Sequence, residues 1–222
     1  MRIILFDIDG TLILSGGAGL LALQKAFGTR YGVTDPTDGV EFHGRTDPLI
    51  LEAIAERHLG RPFHDGEAET MAAEYLSLLP VFLKETHYQI LEGVPELLDH
   101  LSGQDGLLLG LATGNYEEGA WAKLRQGGLD RYFEFGGFGS DHPNRDELTK
   151  RALQRALDRG GSPEGVVVVG DTIHDVGSAL AAGADCLGVA TGNASEETLA
   201  AAGARWTVPT LADPRVREIL AP

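Results

Sequence analysis

The sequence predicts an α/β fold: a doubly wound parallel sheet with an all-helical insertion after its first strand. Three observations predict it. Four short apolar runs, at residues 3–6, 107–112, 166–169 and 186–189, are nearly continuous rather than alternating, as strands covered on both faces of a parallel sheet are. Helical stretches separate the later runs, the rhythm of a doubly wound sheet. Residues 15–88 break that rhythm, with helical spacing of apolar positions and no convincing strand.

In chain order, the first strand, Ile3-Ile4-Leu5-Phe6, follows Met1-Arg2 directly and runs into acid. It is too short for a signal-peptide core, and no apolar run approaches the ~20 residues of a membrane span. After Ser15-Gly16-Gly17, whose glycines suit either a hinge or a turn, helices are expected over 20–27, 48–58 and 67–84. Thr46-Asp47-Pro48 reads as a helix start, a capping hydroxyl followed by proline in the first turn. Glu92-Gly93-Val94-Pro95 ends the insertion. Helices over 94–101, 117–126, 146–159 and 175–182 then alternate with the remaining strands. The expected division is a core of residues 1–14 and 89–222 and a helical cap of 15–88. Trp121 and Trp206 are expected in or against the core.

Of the 222 residues, 43% are hydrophobic and 23% charged, the profile of a folded chain, and the formal charge is −15. Nucleic acid and anionic membranes would repel such a chain, because both are bound by clustered Lys and Arg. The single cysteine, Cys186, rules out an intrachain disulfide, fits a reducing cytoplasm and reads as a buried filler. Nothing demands a dimer; monomer and dimer stay open.

In open α/β sheets ligands sit beyond the carboxyl ends of the strands. Those ends read Asp7-Ile8-Asp9-Gly10-Thr11, Thr113-Gly114-Asn115 and Gly170-Asp171-Thr172, with Asp175 one turn on. Carboxylates gathered in one crevice repel one another unless a cation joins them. A hard divalent ion such as Mg²⁺ suits oxygen ligands, and Asp7 and Asp171 are the natural direct ones. Residues i and i+2 of a strand point the same way, so Asp7 and Asp9 can both face a ligand. A carboxylate nucleophile, a second acid to protonate the leaving group, and Thr113 and Gly114 to hold phosphoryl oxygens together describe phosphoryl transfer. Thr113 is also expected to cap a helix.

These three segments, in this order and spacing, resemble three of the four motifs of the haloacid dehalogenase-like hydrolases, and the helical insertion resembles that family's small cap. The resemblance covers roughly residues 2–208. It implies Asp7 as nucleophile and Mg²⁺ ligand. Asp9 would be the acid/base and give its backbone carbonyl to the metal. Thr113 would hold phosphate, Asp171 would complete the metal site and Asp175 would lie in its outer shell. The family's fourth element, a cation facing the phosphoryl group, is often a Lys followed by Pro, a pair this chain lacks. Arg145, just ahead of a helix, is favoured over Lys150 inside it. In the cap, His43 and Arg45 either start a helix or reach the substrate; His174 reads as a rim residue rather than a metal ligand.

The implied function is hydrolysis of a small phosphorylated metabolite, of the phosphoglycolate phosphatase kind. The alternatives are a phosphotransferase of the β-phosphoglucomutase kind, using the same Asp7/Asp9 pair, and a non-catalytic phosphate-binding module, against which intact Asp7, Asp9 and Asp171 argue.

Overall fold

Strand β1 (Arg2–Phe6) is the axis of the molecule. In the computed structural model, which describes residues 1–221, it pairs in parallel with β4 (Leu107–Ala112) on one side and β6 (Val167–Gly170) on the other. Beyond β4 lies β5 (Gly136–Gly137), and beyond β6 lie β7 (Asp185–Val189) and β8 (Trp206–Val208). The order is β5-β4-β1-β6-β7-β8, parallel throughout. The chain therefore leaves β1 towards both edges, which makes its carboxyl end the crevice where ligands bind.

Alternate residues of β1 serve opposite cores, which is why its sequence is apolar without a break. Ile4 and Phe6 join a cluster with Leu98, Leu111, Leu124 and Val169. Ile3 and Leu5 join another with Phe135, Ala152, Val168 and Cys186. Helices α4 (Val94–Ser102), α5 (Glu117–Gln126), α6 (Arg145–Leu157), α7 (Ile173–Ala181), α8 (Glu196–Ala201) and α9 (Arg215–Leu220) complete the layers around the sheet. Trp121 and Trp206 pack, half-buried, against the first cluster. No helix among the described residues is long and apolar enough to cross a membrane.

Helices α1 (Ala18–Tyr31), α2 (Asp47–Leu59) and α3 (Glu67–Glu85) form the insertion, with a core of their own that includes Phe27, Leu51, Ile54, Met71 and Leu79. Its two ends are tied by an antiparallel pair, β2 (Ile13–Leu14) and β3 (Gln89–Ile90), too short to show a period in sequence. Gly16 has φ of 61° and passes so close to His87 that a Cβ would lie 2.5 Å from the His87 carbonyl oxygen. It is a turn residue.

Helix starts differ from those expected. Asn144 caps α6, so Arg145 is its first residue rather than the residue ahead of it. A reciprocal capping box between Thr172 and Asp175 starts α7 at Ile173, two residues earlier than expected. Thr46 occupies the N-cap of α2, but its hydroxyl donates to the Pro143 carbonyl at 2.8 Å and makes no cap bond. Thr113 caps nothing either, since α5 begins only at Glu117.

Candidate active site

The carboxyl ends of β1, β4 and β6 bring Asp7, Thr113 and Asp171 to one place because the three strands are neighbours. Asp7 is buried. Arg145 Nη2 lies 3.0 Å from its Oδ1 and 2.6 Å from Asp175 Oδ1, and Arg145 Nε also donates to Asp175 at 3.1 Å. The other Asp175 oxygen accepts from the Thr172 N–H and hydroxyl. Lys150, by contrast, is exposed and paired with Glu147. The register explains this: a first-turn residue can face the strand ends, whereas Lys150, more than a turn further on, lies on the outer flank.

One oxygen from each of Asp7, Asp171 and Asp175 lies within 4.8 Å of the others. Burial pushes Asp7 up to about 7 against the opposing pull of Arg145. Burial, and then Asp175 and Asp7, push Asp171 up to about 8. Burial works against Arg145, but Asp175 and Asp7 outweigh it and hold the guanidinium above its ordinary value. Among the described residues Asp171 has only the Thr11 hydroxyl, at 3.0 Å, as a side-chain donor. A cluster of hard oxygen donors whose charged forms are this disfavoured fits a divalent cation.

Asp9 stands apart from that cluster. Its Oδ2 accepts from Asn115 Nδ2 at 2.8 Å and Lys123 Nζ at 2.6 Å. Asn115 Nδ2 also donates to Thr113 Oγ1 at 2.8 Å, which leaves the Thr113 proton free for another acceptor. The Gly114 N–H makes no hydrogen bond among the described residues. Its carbonyl accepts the Asp47 N–H at 2.8 Å, and a Cβ at Gly114 would meet the Arg45 carbonyl at 2.6 Å.

A cavity of about 280 Å³ joins these groups to the helical insertion, bordered by Leu20, Phe42, Arg45 and Tyr75. His43 and Arg45 both line it from the segment ahead of α2. His43 Nε2 also lies 3.0 Å from Asn193 Nδ2. His174, the second residue of α7, packs against Gly44 rather than into the carboxylate cluster.

The family profile of haloacid dehalogenase-like hydrolases matches residues 1–183. The chain belongs to this family. A 5'-nucleotidase from Pseudomonas aeruginosa is 29% identical, covering 89% of this chain and 86% of the relative. A phosphoglycolate phosphatase from Aquifex aeolicus is 30% identical, covering 82% of each. The crystal structure of CbbY from Rhodobacter sphaeroides in complex with phosphate matches with a TM-score of 0.71 over 96% of each chain, at 20% identity, a likeness of fold.

In this haloacid dehalogenase-like hydrolase, sequence reasoning missed three groups at the site. Lys123 is buried in α5, although it reads as an ordinary surface lysine of a polar helix. Asp47, read only as a helix start, accepts the Tyr116 N–H at 2.8 Å, and burial pushes its carboxyl up to about 6. Gly192, in the loop after β7, passes so near Asp171 that a Cβ would lie 1.8 Å from its Oδ2. Only the glycine-rich ends of the strands hinted at such close approaches.

Proposed function

We propose that this enzyme hydrolyses a small phosphorylated metabolite through an aspartyl-phosphate on Asp7, with Mg²⁺ as its metal. That it is a phosphoric monoester hydrolase follows from its family and from relatives named as phosphatases. The observation that carries the finer reading is the separation of two carboxylates two residues apart: Asp7 lies in the buried cluster against Arg145, while Asp9 is held by Lys123 and Asn115.

In this reading Asp7 attacks phosphorus as the bond to the leaving oxygen breaks, and Asp9 gives that oxygen a proton. Asp9 then takes a proton from water as the water oxygen attacks phosphorus and releases the Asp7 carboxylate. The Thr113 hydroxyl, the Gly114 N–H and Arg145 hold the phosphoryl oxygens. Asp7 and Asp171 would hold Mg²⁺ directly, with the Asp9 carbonyl beside them and Asp175 behind. Bound there, the ion supplies charge against the phosphoryl oxygens. His43 and Arg45 face the variable part of the substrate. A buried Cys186, its thiol pushed well up by burial, suits the cytoplasm.

The test is a screen of phosphorylated metabolites with Mg²⁺, reading released phosphate and isomerised product side by side, followed by acid quench and peptide mass analysis. A phosphoryl group on the peptide containing Asp7, absent in Asp7→Asn, is expected. Turnover by Asp7→Asn within tenfold of the parent would refute the nucleophile, and isomerised product without phosphate would make the enzyme a mutase.

A further inference from the structure

Lys123 lies on the inward face of α5 with Ala120 and Leu124, and its side chain is only 6% exposed. A lysine so far from water is kept there by its partners. Nζ donates to Asp9 Oδ2 at 2.6 Å and to Asn115 Oδ1 at 2.5 Å. Because an ammonium only donates, it fixes the Asn115 amide, turning Nδ2 towards Asp9 Oδ2 and Thr113 Oγ1. The backbone is pinned as well: the Lys123 carbonyl accepts the Tyr88 hydroxyl at 2.9 Å. Burial alone would lower the ammonium's pKa, but Asp9 and Asp47 outweigh it and leave it raised.

Two donors therefore meet on one oxygen of Asp9. Its Oδ1 has no donor among the described residues. A carboxyl that must pass a proton in both directions needs one free oxygen and a fixed plane, and this arrangement supplies both.

We propose that Lys123 is a positioning residue for Asp9, holding Oδ2 directly and through Asn115 so that Oδ1 is presented to the leaving oxygen. The proposal rests on Asp9 being the acid/base and goes beyond it by assigning what aims that carboxyl. It separates Lys123 from two other roles: a staple for α5, and a cation touching the substrate, since Lys123 also borders the cavity.

The experiment measures kcat and KM for the parent, Lys123→Met, Asp9→Asn and the double variant. Each is assayed on an alkyl phosphate and on p-nitrophenyl phosphate, whose leaving group needs no proton. Lys123→Met should lower kcat/KM on the alkyl phosphate on the order of 10²-fold, the usual cost of a misplaced group. On the aryl phosphate kcat/KM should change little, because kcat/KM ends at the first phosphoryl transfer and only the alkyl leaving group needs a proton there. In the Asp9→Asn background it should cost nothing more, and Lys123→Arg should recover part of the loss. Equal losses with and without Asp9 would make Lys123 a staple. A rise in KM on both substrates would make it a substrate contact, and a faster alkyl reaction would mean it restrains Asp9; each overturns the proposal. If Asp9→Asn alone leaves the alkyl rate intact, the acid/base reading itself falls and takes the proposal with it. Circular dichroism accompanies each variant, and Lys123→Gln carries the same comparison should Lys123→Met not fold.

Discussion

The guanidinium of Arg145 meets the carboxylate of Asp7 at 3.0 Å, deep in a crevice where the Arg145 side chain is only 10% exposed. The same nitrogen holds Asp175, and Nη1 reaches the Gly44 carbonyl of the helical insertion at 3.3 Å. Arg145 thus ties Asp7, the start of α7 and the segment above the site. Arg145→Ala should cut phosphate release roughly 10²–10³-fold, the scale for losing a charge-assisted contact to a developing anion. Lys150→Ala, which removes an exposed pair with Glu147, should stay near the parent, and Arg145→Lys should recover only part, since a point charge replaces a fork. A crippled Lys150→Ala beside a healthy Arg145→Ala would reverse the assignment.

Activity should require Mg²⁺ and vanish in excess chelator, because the Asp7–Asp171–Asp175 cluster has too little positive charge of its own. Ca²⁺, with longer bonds and more ligands, should inhibit. Asp171→Asn should raise the Mg²⁺ concentration for half-maximal phosphate release by at least about tenfold, on the scale of losing a metal-site group. Full turnover in chelator would remove the metal from the reaction.

The same carboxylates predict how metal-free stability follows pH. Asp7 and Asp171 are raised from 3.8 to about 7 and about 8. The folded state then binds these protons more tightly than the unfolded chain. Their contribution is whole below about pH 4 and is lost as pH climbs through 7 to 8. In chelator, the melting temperature should fall across that window, and Asp171→Asn, with nothing to titrate there, should show a shallower fall. Added Mg²⁺ should stabilise the parent at pH 8 and scarcely at pH 5. Parallel slopes for parent and variant would show that general repulsion in an acidic chain accounts for the whole effect.

What could be read from the sequence was whatever announces itself locally. Asp7 and Asp171 each follow a run of apolar residues that can only be a buried strand, so their place at a strand end was legible. Lys123 was not, because its burial depends on Asp9, 114 positions away. Thr46 looked like a cap until the Pro143 carbonyl claimed its hydroxyl. Strand β5 is two glycines with no side chains to show a period, and a Cβ at Gly137 would lie 1.9 Å from the Leu148 carbonyl oxygen, so its composition answers to α6. The pairing of β2 with β3 spans the whole helical insertion and leaves no local trace.

Gly192 offers the sharpest test of that last kind of constraint. Its backbone does not occupy the left-handed region, so alanine can adopt its conformation without strain. The only cost is space: a Cβ would sit 1.8 Å from Asp171 Oδ2 and 2.8 Å from its Cγ. The neighbouring Thr191 hydroxyl donates to the Gly10 carbonyl at 2.5 Å, which holds the loop against the first strand's turn and limits its retreat. Asp171 must therefore give way. Gly192→Ala should fold normally by circular dichroism yet raise the Mg²⁺ requirement about 10–100-fold, as shifts in the surroundings of a metal ligand do. Gly10→Ala would crowd the same carboxylate, but its φ of 85° adds backbone strain and blurs the reading. Gly177→Ala is the control: nothing lies within 4 Å of its Cβ position inside α7, so activity should hold and stability rise by about 0.5–1 kcal/mol. A Gly192→Ala enzyme with the parent's metal requirement would mean that Asp171 is not held where this loop places it.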